Sequence, residues 1–140
     1  MLKTICYVSS SYNDLKSNDL NKLFNATIRN NTRSKISGIL IYKNGNFLQI
    51  LEGEADKVDN LYQKICLDTR HHGAILIIET KLCDRIFDSY DKEFPIINNK
   101  KQMSKLKHYL NWLKEAELQK VNKLIRVIEN FIEVKVLTAT

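Results

Sequence analysis

Four polar side chains stand where apolar ones would be expected. Tyr7 lies in Lys3-Thr4-Ile5-Cys6-Tyr7-Val8, a short run rich in β-formers. Gln49 interrupts Phe47-Leu48-Gln49-Ile50-Leu51, an otherwise apolar strand, and Asn30 and Asn31 close a helical pattern. A phenol can give up a proton with an electron. An amide is donor at one end and acceptor at the other, so it can exchange partners at little cost. Alternation groups Gln49 with Phe47 and Leu51, and Leu48 with Ile50. Either face can be covered, so the amide is read as buried, where it needs a hydrogen bond. Taken singly, each residue also has an ordinary role: Gln49 bonding neighbouring backbone, Asn31 capping a helix.

Other chemistries lack their motifs. There is no P-loop, no Gly-rich dinucleotide fingerprint and no helical His pair at metal-ligand spacing. His71 and His72 are adjacent, so on regular structure they point apart, and they read as polar loop residues. Glu52 and Glu54 would make an acid/base pair only on one element, but Glu52 ends a strand and Glu54 opens a helix, where capping is its expected role. Cys6, Cys66 and Cys83 are too scattered for a zinc site and odd in number for a disulfide framework. Each is expected to be a small core hydrophobe in a reducing compartment.

These residues must be positioned by elements that the patterning reveals. A strand over 3–8 and a loop over 9–14 precede a helix whose Leu20, Leu23, Phe24, Thr27 and Ile28 recur at helical spacing. Ser17, Asn18 and Asp19 are candidate caps, and Asn30-Asn31-Thr32 is the expected end. Ile36–Tyr42 and Phe47–Leu51 are strand-like, joined by Lys43-Asn44-Gly45-Asn46, a hairpin signal. A second helix opens near Glu54 and carries Val58, Leu61, Tyr62, Ile65 and Cys66. Ala74–Ile78 is continuously apolar, which predicts a central strand covered on both faces. Ile86-Phe87 and Ser89-Tyr90 are assigned a last strand before Pro95. The order β-α-β-β-α-β-β is α+β and ferredoxin-like, with both helices on one face of a mixed sheet. The other face needs a cover. Residues 103–114, and 116–134 with Leu118, Val121, Ile125, Ile128 and Ile132, are helical stripes that can supply it or make a helix-to-helix dimer contact. The expected division is residues 1–98 and a helical extension, 99–140, in one compact unit.

Composition sets outer bounds. With 44% hydrophobic and 27% charged residues among 140, the chain is globular rather than disordered. No apolar run approaches the ~20 residues of a membrane span, and the start lacks a signal peptide's apolar core, so a cytoplasmic location is expected. Residues 1–99 hold 13 basic and 12 acidic side chains, while residues 100–140 hold 9 and 4. That basic tail reads as a solvated helix face, and nucleic acid is the disfavoured partner because its lysines alternate with glutamates.

Taken together, the polar residues sit in a longer pattern. Ile5-Cys6-Tyr7-Val8-Ser9-Ser10, Arg29-Asn30-Asn31, Ile36-Ser37-Gly38-Ile39-Leu40-Ile41-Tyr42, Gly45-Asn46-Phe47-Leu48-Gln49-Ile50-Leu51-Glu52-Gly53-Glu54, Val58 and Asp68-Thr69-Arg70-His71-His72 follow in order. Over residues 2–94 the chain resembles a BLUF domain, a blue-light sensor using FAD. The resemblance implies a flavin between the two helices: FAD, with FMN or riboflavin as alternatives. It implies that Tyr7 donates an electron and proton, and that Gln49 bridges tyrosine and flavin and rearranges its hydrogen bonds. Asn31 would bond the ring's carbonyl edge and Asn30 flank it. Asp68, Arg70 and His71 would line the ring, and Lys64 stands where relatives often carry arginine. Apolar walls are expected from the helix stripes, with Ile28 and Leu23 on one helix and Ile65 and Leu61 on the other.

Two positions depart from the family pattern. Tyr90 and Lys92 occupy the places of a tryptophan and a methionine thought to relay the light signal through the last strand. A charged lysine does not readily replace a buried methionine. The only tryptophan, Trp112, lies far downstream. Only about 40 residues follow the resemblance, and they show no cyclase or phosphodiesterase pattern. The implied protein is therefore a sensor without enzyme activity, a homo-oligomer acting on a downstream protein. The rival expectation is a light-insensitive, ferredoxin-like binding module whose basic C-terminal helices contact nucleic acid or an acidic partner.

Overall fold

Leu2–Ser11 forms β1, and the hairpin signal at Asn44-Gly45 joins Ser37–Lys43 (β2) to Asn46–Glu54 (β3). The structure, a computed structural model, describes residues 1–11, 17–69, 71–87, 90, 94–116 and 121–133. Asn44 and Gly45 take φ of 53° and 79°, the left-handed pair that a tight two-residue hairpin turn requires. His71–Leu82 is β4 and Ile96–Ile97 is β5. The sheet order is β4-β1-β3-β2-β5. β1 lies antiparallel to β3 and β4, β2 antiparallel to β3, and β5 parallel to β2. With helices Ser17–Arg33 (α1) and Ala55–Leu67 (α2), this is the expected α+β, ferredoxin-like arrangement.

The helix-facing core contains Ile5, Tyr7, Phe24, Leu40, Phe47, Leu51 and Val58, with Leu23, Leu61, Tyr62 and Ile65 packed against it. Gly38 shows how closely β2 and β3 fit there. Its φ is 139°, and a Cβ would lie 1.9 Å from the carbonyl oxygen of Ile50, so only glycine serves.

Several local expectations need correction. Helix α1 runs past Asn31 to Arg33. It ends in a six-residue loop-back: Ile36 N–H donates to Asn31 C=O (2.9 Å) and Lys35 N–H to Thr32 C=O (3.2 Å). Lys35, at φ 56°, takes the left-handed position, so Asn31 is not the cap and its side chain is free for other use. Glu54 does precede α2, but its carboxylate makes no capping bond and instead meets the amino group of Met1 at 3.0 Å. His71 and His72 open a strand rather than a loop.

The largest correction concerns Ala74–Ile78, which lies on an edge strand and not a central one. The last strand is Ile96–Ile97, beyond Pro95, and the Ile86-Phe87 region is not strand. Of the cysteines, Cys6 is buried, while Cys66 and Cys83 are exposed.

The chain divides into two compact units, Met1–Ile97 and Asn98–Thr140. The second holds Lys100–Glu115 (α3) and Asn122–Glu133 (α4), joined by an ion pair between Lys114 and Glu129 at 2.8 Å. Asn99 caps α3 by accepting from Gln102 N–H. Leu124, Ile125, Ile128 and Ile132 are the buried stripe of α4, and Leu118 lies outside the described residues.

Candidate functional site

The β1–β3 register sets Tyr7 directly opposite Gln49, with Leu40 of β2 on the amide's other side. Gln49 Nε2 donates to the Tyr7 hydroxyl at 3.0 Å, and both side chains are buried. Two residues along each strand, on the same face, stand Ser9 and Phe47. Helix α1 presents Leu23, Ala26, Thr27, Asn30 and Asn31, and α2 presents Leu61, Lys64 and Ile65. Asp68 and His71 complete the wall of a cavity of about 160 Å³. That is several times the ~30 Å³ share of a water molecule, so the space suits an organic group.

The cavity's polar lining is incomplete. Asn31 Nδ2, Gln49 Oε1 and His71 Nδ1 are all buried without a hydrogen-bond partner. Three such atoms on one wall are costly unless a ligand completes them. His71 Nε2 faces the Ile65 carbonyl at 2.8 Å and so donates, which leaves Nδ1 of the neutral ring as an acceptor. The set is thus one donor and two acceptors. A flavin ring offers carbonyl acceptors and an N–H donor along its polar edge, so the residues fit that group.

Burial pushes the Tyr7 hydroxyl above the ordinary tyrosine range, with the Gln49 hydrogen bond acting the other way. Tyr7 therefore stays neutral and keeps its proton at physiological pH. Its ring also lies 5.4 Å, tilted, from that of Tyr62. Burial pushes Tyr62 up to about 12, helped by a hydrogen bond to Cys66.

Of the residues singled out in the sequence, Tyr7, Gln49, Asn30, Asn31, Lys64, Ile65, Asp68 and His71 converge on this cavity, as do Leu23 and Leu61. Ile28 does not line it. At 100° per residue it is turned roughly 130° from the middle of the α1 stripe that does. Arg70 and Lys92 lie outside the described residues. Tyr90 sits in a turn, its N–H donating to Phe87 C=O at 3.2 Å, and is not part of the cavity wall. Ser9, Ala26, Thr27, Leu40 and Phe47 were missed. Period 2 from Tyr7 and Gln49 would have found Ser9 and Phe47, and helical spacing back from Asn30 would have found Ala26 and Thr27. Leu40 needed the strand register.

A second polar cluster lies on β3 three residues beyond Gln49. The fully buried Glu52 accepts from Phe87 N–H (2.7 Å), Ile86 N–H (2.9 Å) and the Ser37 hydroxyl (2.9 Å). Arg85 donates to the Ser37 hydroxyl (2.9 Å) and to Glu52 C=O (3.2 Å). Strand β3 therefore carries the cavity amide and also fastens the 85–87 segment that leads to Tyr90.

Comparison with known proteins agrees with this geometry. The family model for BLUF, sensors of blue light using FAD, matches residues 2–93. Photoactivated adenylate cyclase subunit beta of Euglena gracilis is 34% identical over 88 residues, 63% of this chain and 10% of that protein. The blue light- and temperature-regulated antirepressor BluF of Escherichia coli K12 is 32% identical over 84 residues, 60% of this chain and 20% of that one. The dark-state structure of BlrB, a BLUF protein, superposes with a TM-score of 0.68 at 26% identity, covering 91% of this chain and 94% of that one. The chain thus spans a tenth to a fifth of the length of these two sequence relatives. These matches do not favour the light-insensitive binding module.

Proposed function

The chain belongs to the BLUF family of blue-light sensors using FAD, and from that premise we propose how its own residues carry the switch. The observation that carries the reading is the state of Gln49: one end of its amide is bonded to Tyr7 and the other has no partner in the cavity. Flavin, when bound, supplies the visible absorption and the redox chemistry. Tyr7 is the residue that gives up an electron. Because burial disfavours its phenolate, the proton would leave with the electron and not before it, both going to the bound flavin and both returning to Tyr7 before the new hydrogen bonds form. Gln49 then exchanges its ends, by rotation or tautomerisation. Rotation turns its NH₂ toward the cavity and its oxygen toward Tyr7, whose hydroxyl changes from acceptor to donor; tautomerisation leaves the atoms in place and makes the nitrogen facing Tyr7 an acceptor, with the same change at the hydroxyl.

Asn31 and His71 hold the ligand's polar edge, with Asn30, Lys64 and Asp68 around it. Leu23, Leu61 and Ile65 are its apolar walls. FAD is the cofactor, and FMN or riboflavin would satisfy the same ring contacts. The new Gln49 hydrogen bonds bias β3, and Glu52 passes that bias to the 85–87 segment and Tyr90. Output is a changed contact with another protein and not a reaction catalysed by this domain.

An absorption spectrum of the dark protein, repeated after a blue flash, tests the reading. The expected result is a flavin spectrum that shifts slightly to the red and recovers in darkness. Protein that stays colourless after soaking with FAD would sink flavin binding. Bound flavin with no shift would sink the Tyr7–Gln49 switch alone.

A further inference from the structure

The two edges of the sheet are built differently. Strand β5 is two residues long and follows Pro95, which has no N–H to offer. Short strands and proline are how proteins close an edge against pairing. Strand β4 is twelve residues long and, among the described residues, has only β1 beside it. Its middle is Ala74-Ile75-Leu76-Ile77-Ile78, with Ile75, Leu76 and Ile77 exposed by 62%, 39% and 36%. The pairing with β1 slips at Ile77, a bulge that takes this residue out of the ladder. An antiparallel strand with one wet face normally alternates apolar and polar, whereas the middle of β4 is apolar on both faces. A long, exposed, apolar strand at a sheet edge is a template for pairing with a strand of another chain.

We propose that the free edge of β4 pairs antiparallel with β4 of a second copy of this chain, about a two-fold axis at Leu76. The edge requires a partner strand that is apolar on both faces and has an open edge of its own, and β4 meets that requirement itself. With the axis at Leu76, that residue faces its own copy. Ile75 then faces Ile77, Ala74 faces Ile78, Gly73 faces Glu79 and His72 faces Thr80. Apolar meets apolar over five positions, and the two Glu79 carboxylates stand about 20 Å apart along the strands. Moving the axis to Glu79 would set those carboxylates against each other, which like charges disfavour. The two-fold pairing closes after two copies and joins two five-stranded sheets into one. A single strand pair is small beside the ~800 Å² per partner of a standard interface, so the dimer is a reversible, concentration-dependent one.

Sedimentation velocity of the full chain carrying FAD, in darkness and over a wide concentration range, is the first test. A reversible monomer–dimer equilibrium is expected. Leu76→Lys sets two ammonium groups at the axis and Ile75→Lys places them beside it; both positions are solvent-exposed, and an unchanged flavin spectrum verifies the fold. Each is expected to weaken the dimer by tenfold or more. In a Cys66→Ser, Cys83→Ser background, Leu76→Cys should cross-link to itself on mild oxidation. Thr80→Cys should not, because its two copies lie about 27 Å apart in this register. Four results would overturn the proposal. They are a parent chain monomeric at every concentration, which would leave the edge to a strand of another protein; a dimer indifferent to both lysines; equal cross-linking at the two positions; and no cross-linking at Leu76.

Discussion

Gln49 and Glu52 are buried polar side chains three residues apart on one apolar strand, yet they are in opposite states. Glu52 accepts from two backbone N–H groups and a hydroxyl, and the nearby Arg85 donates to the same cluster. Gln49 donates once and leaves its oxygen without a partner. A closed polar network in a low-dielectric interior is rigid and specific, while an open one is a demand for a ligand. The difference separates two functions on one strand: Glu52 fixes where the chain goes after β4, and Gln49 is left able to change partners. In the sequence both are merely polar interruptions of an apolar run.

Removing each residue should therefore fail differently. Glu52→Ala leaves the N–H groups of Ile86 and Phe87 and the Ser37 hydroxyl without their carboxylate acceptor. A loss of about 3–5 kcal/mol is expected from urea unfolding, because each buried donor left without a partner costs about 1–3 kcal/mol. A loss below about 1 kcal/mol would mean that the network does not hold this segment. Gln49→Leu keeps the volume and removes one hydrogen bond, so its stability should fall by only about 1 kcal/mol. Its flavin should stay bound while the light-induced red shift disappears. A retained shift would remove Gln49 from the switch.

The open side of the comparison can be sharpened at Asn31, whose Nδ2 is a buried donor without a hydrogen-bond partner on the cavity wall. Asn31→Ala is expected to weaken flavin binding by about 1–3 kcal/mol, roughly five- to 150-fold in Kd, read from a fluorescence titration. Its effect on unfolding of the flavin-free protein should be near zero or favourable, because an unsatisfied donor is removed. A large destabilisation with unchanged affinity would assign Asn31 to the fold.

How much of this was legible follows from how local each signal is. Tyr7, Gln49 and the helix stripes were readable because periods of 2 and 3.6 are written in adjacent residues. The cavity residues opposite one another, such as Leu40 and Gln49, needed the β2–β3 register. Strand β5 carries almost no local signal: two residues are held by pairing with β2 and by the Leu40 N–H bond to Pro95 C=O. Ala74–Ile78 was misplaced because an apolar run reports that both faces are apolar, and not whether a strand stands at each edge. Glu52 was invisible as a fastener because its partners lie more than thirty residues away. Ile28 has helical spacing but the wrong phase, which only the helix's seat on the sheet decides.

A smaller effect follows from a buried titratable group in β1, one residue before Tyr7. Burial pushes the Cys6 thiol from its ordinary 9.0 up to about 12, and no hydrogen bond offsets it. The sign is fixed by the unfolded chain. Below pH 9 the thiol is protonated in both states and costs nothing. Between about pH 9 and 12 the unfolded thiol releases its proton and the folded one does not, so stability falls by up to ~1.4 kcal/mol for each pH unit. Cys6→Ala should lower stability at pH 7 through lost packing, yet flatten the alkaline limb that begins near pH 9. Tyr7, also raised by burial, would add its own fall only above pH 10, the ordinary tyrosine value. Urea midpoints at closely spaced pH values separate the two onsets. If the limb began at pH 10 in both proteins, Cys6 would have no part in it, and the two raised phenols, Tyr7 and Tyr62, would be the groups that make the fold sensitive to alkali.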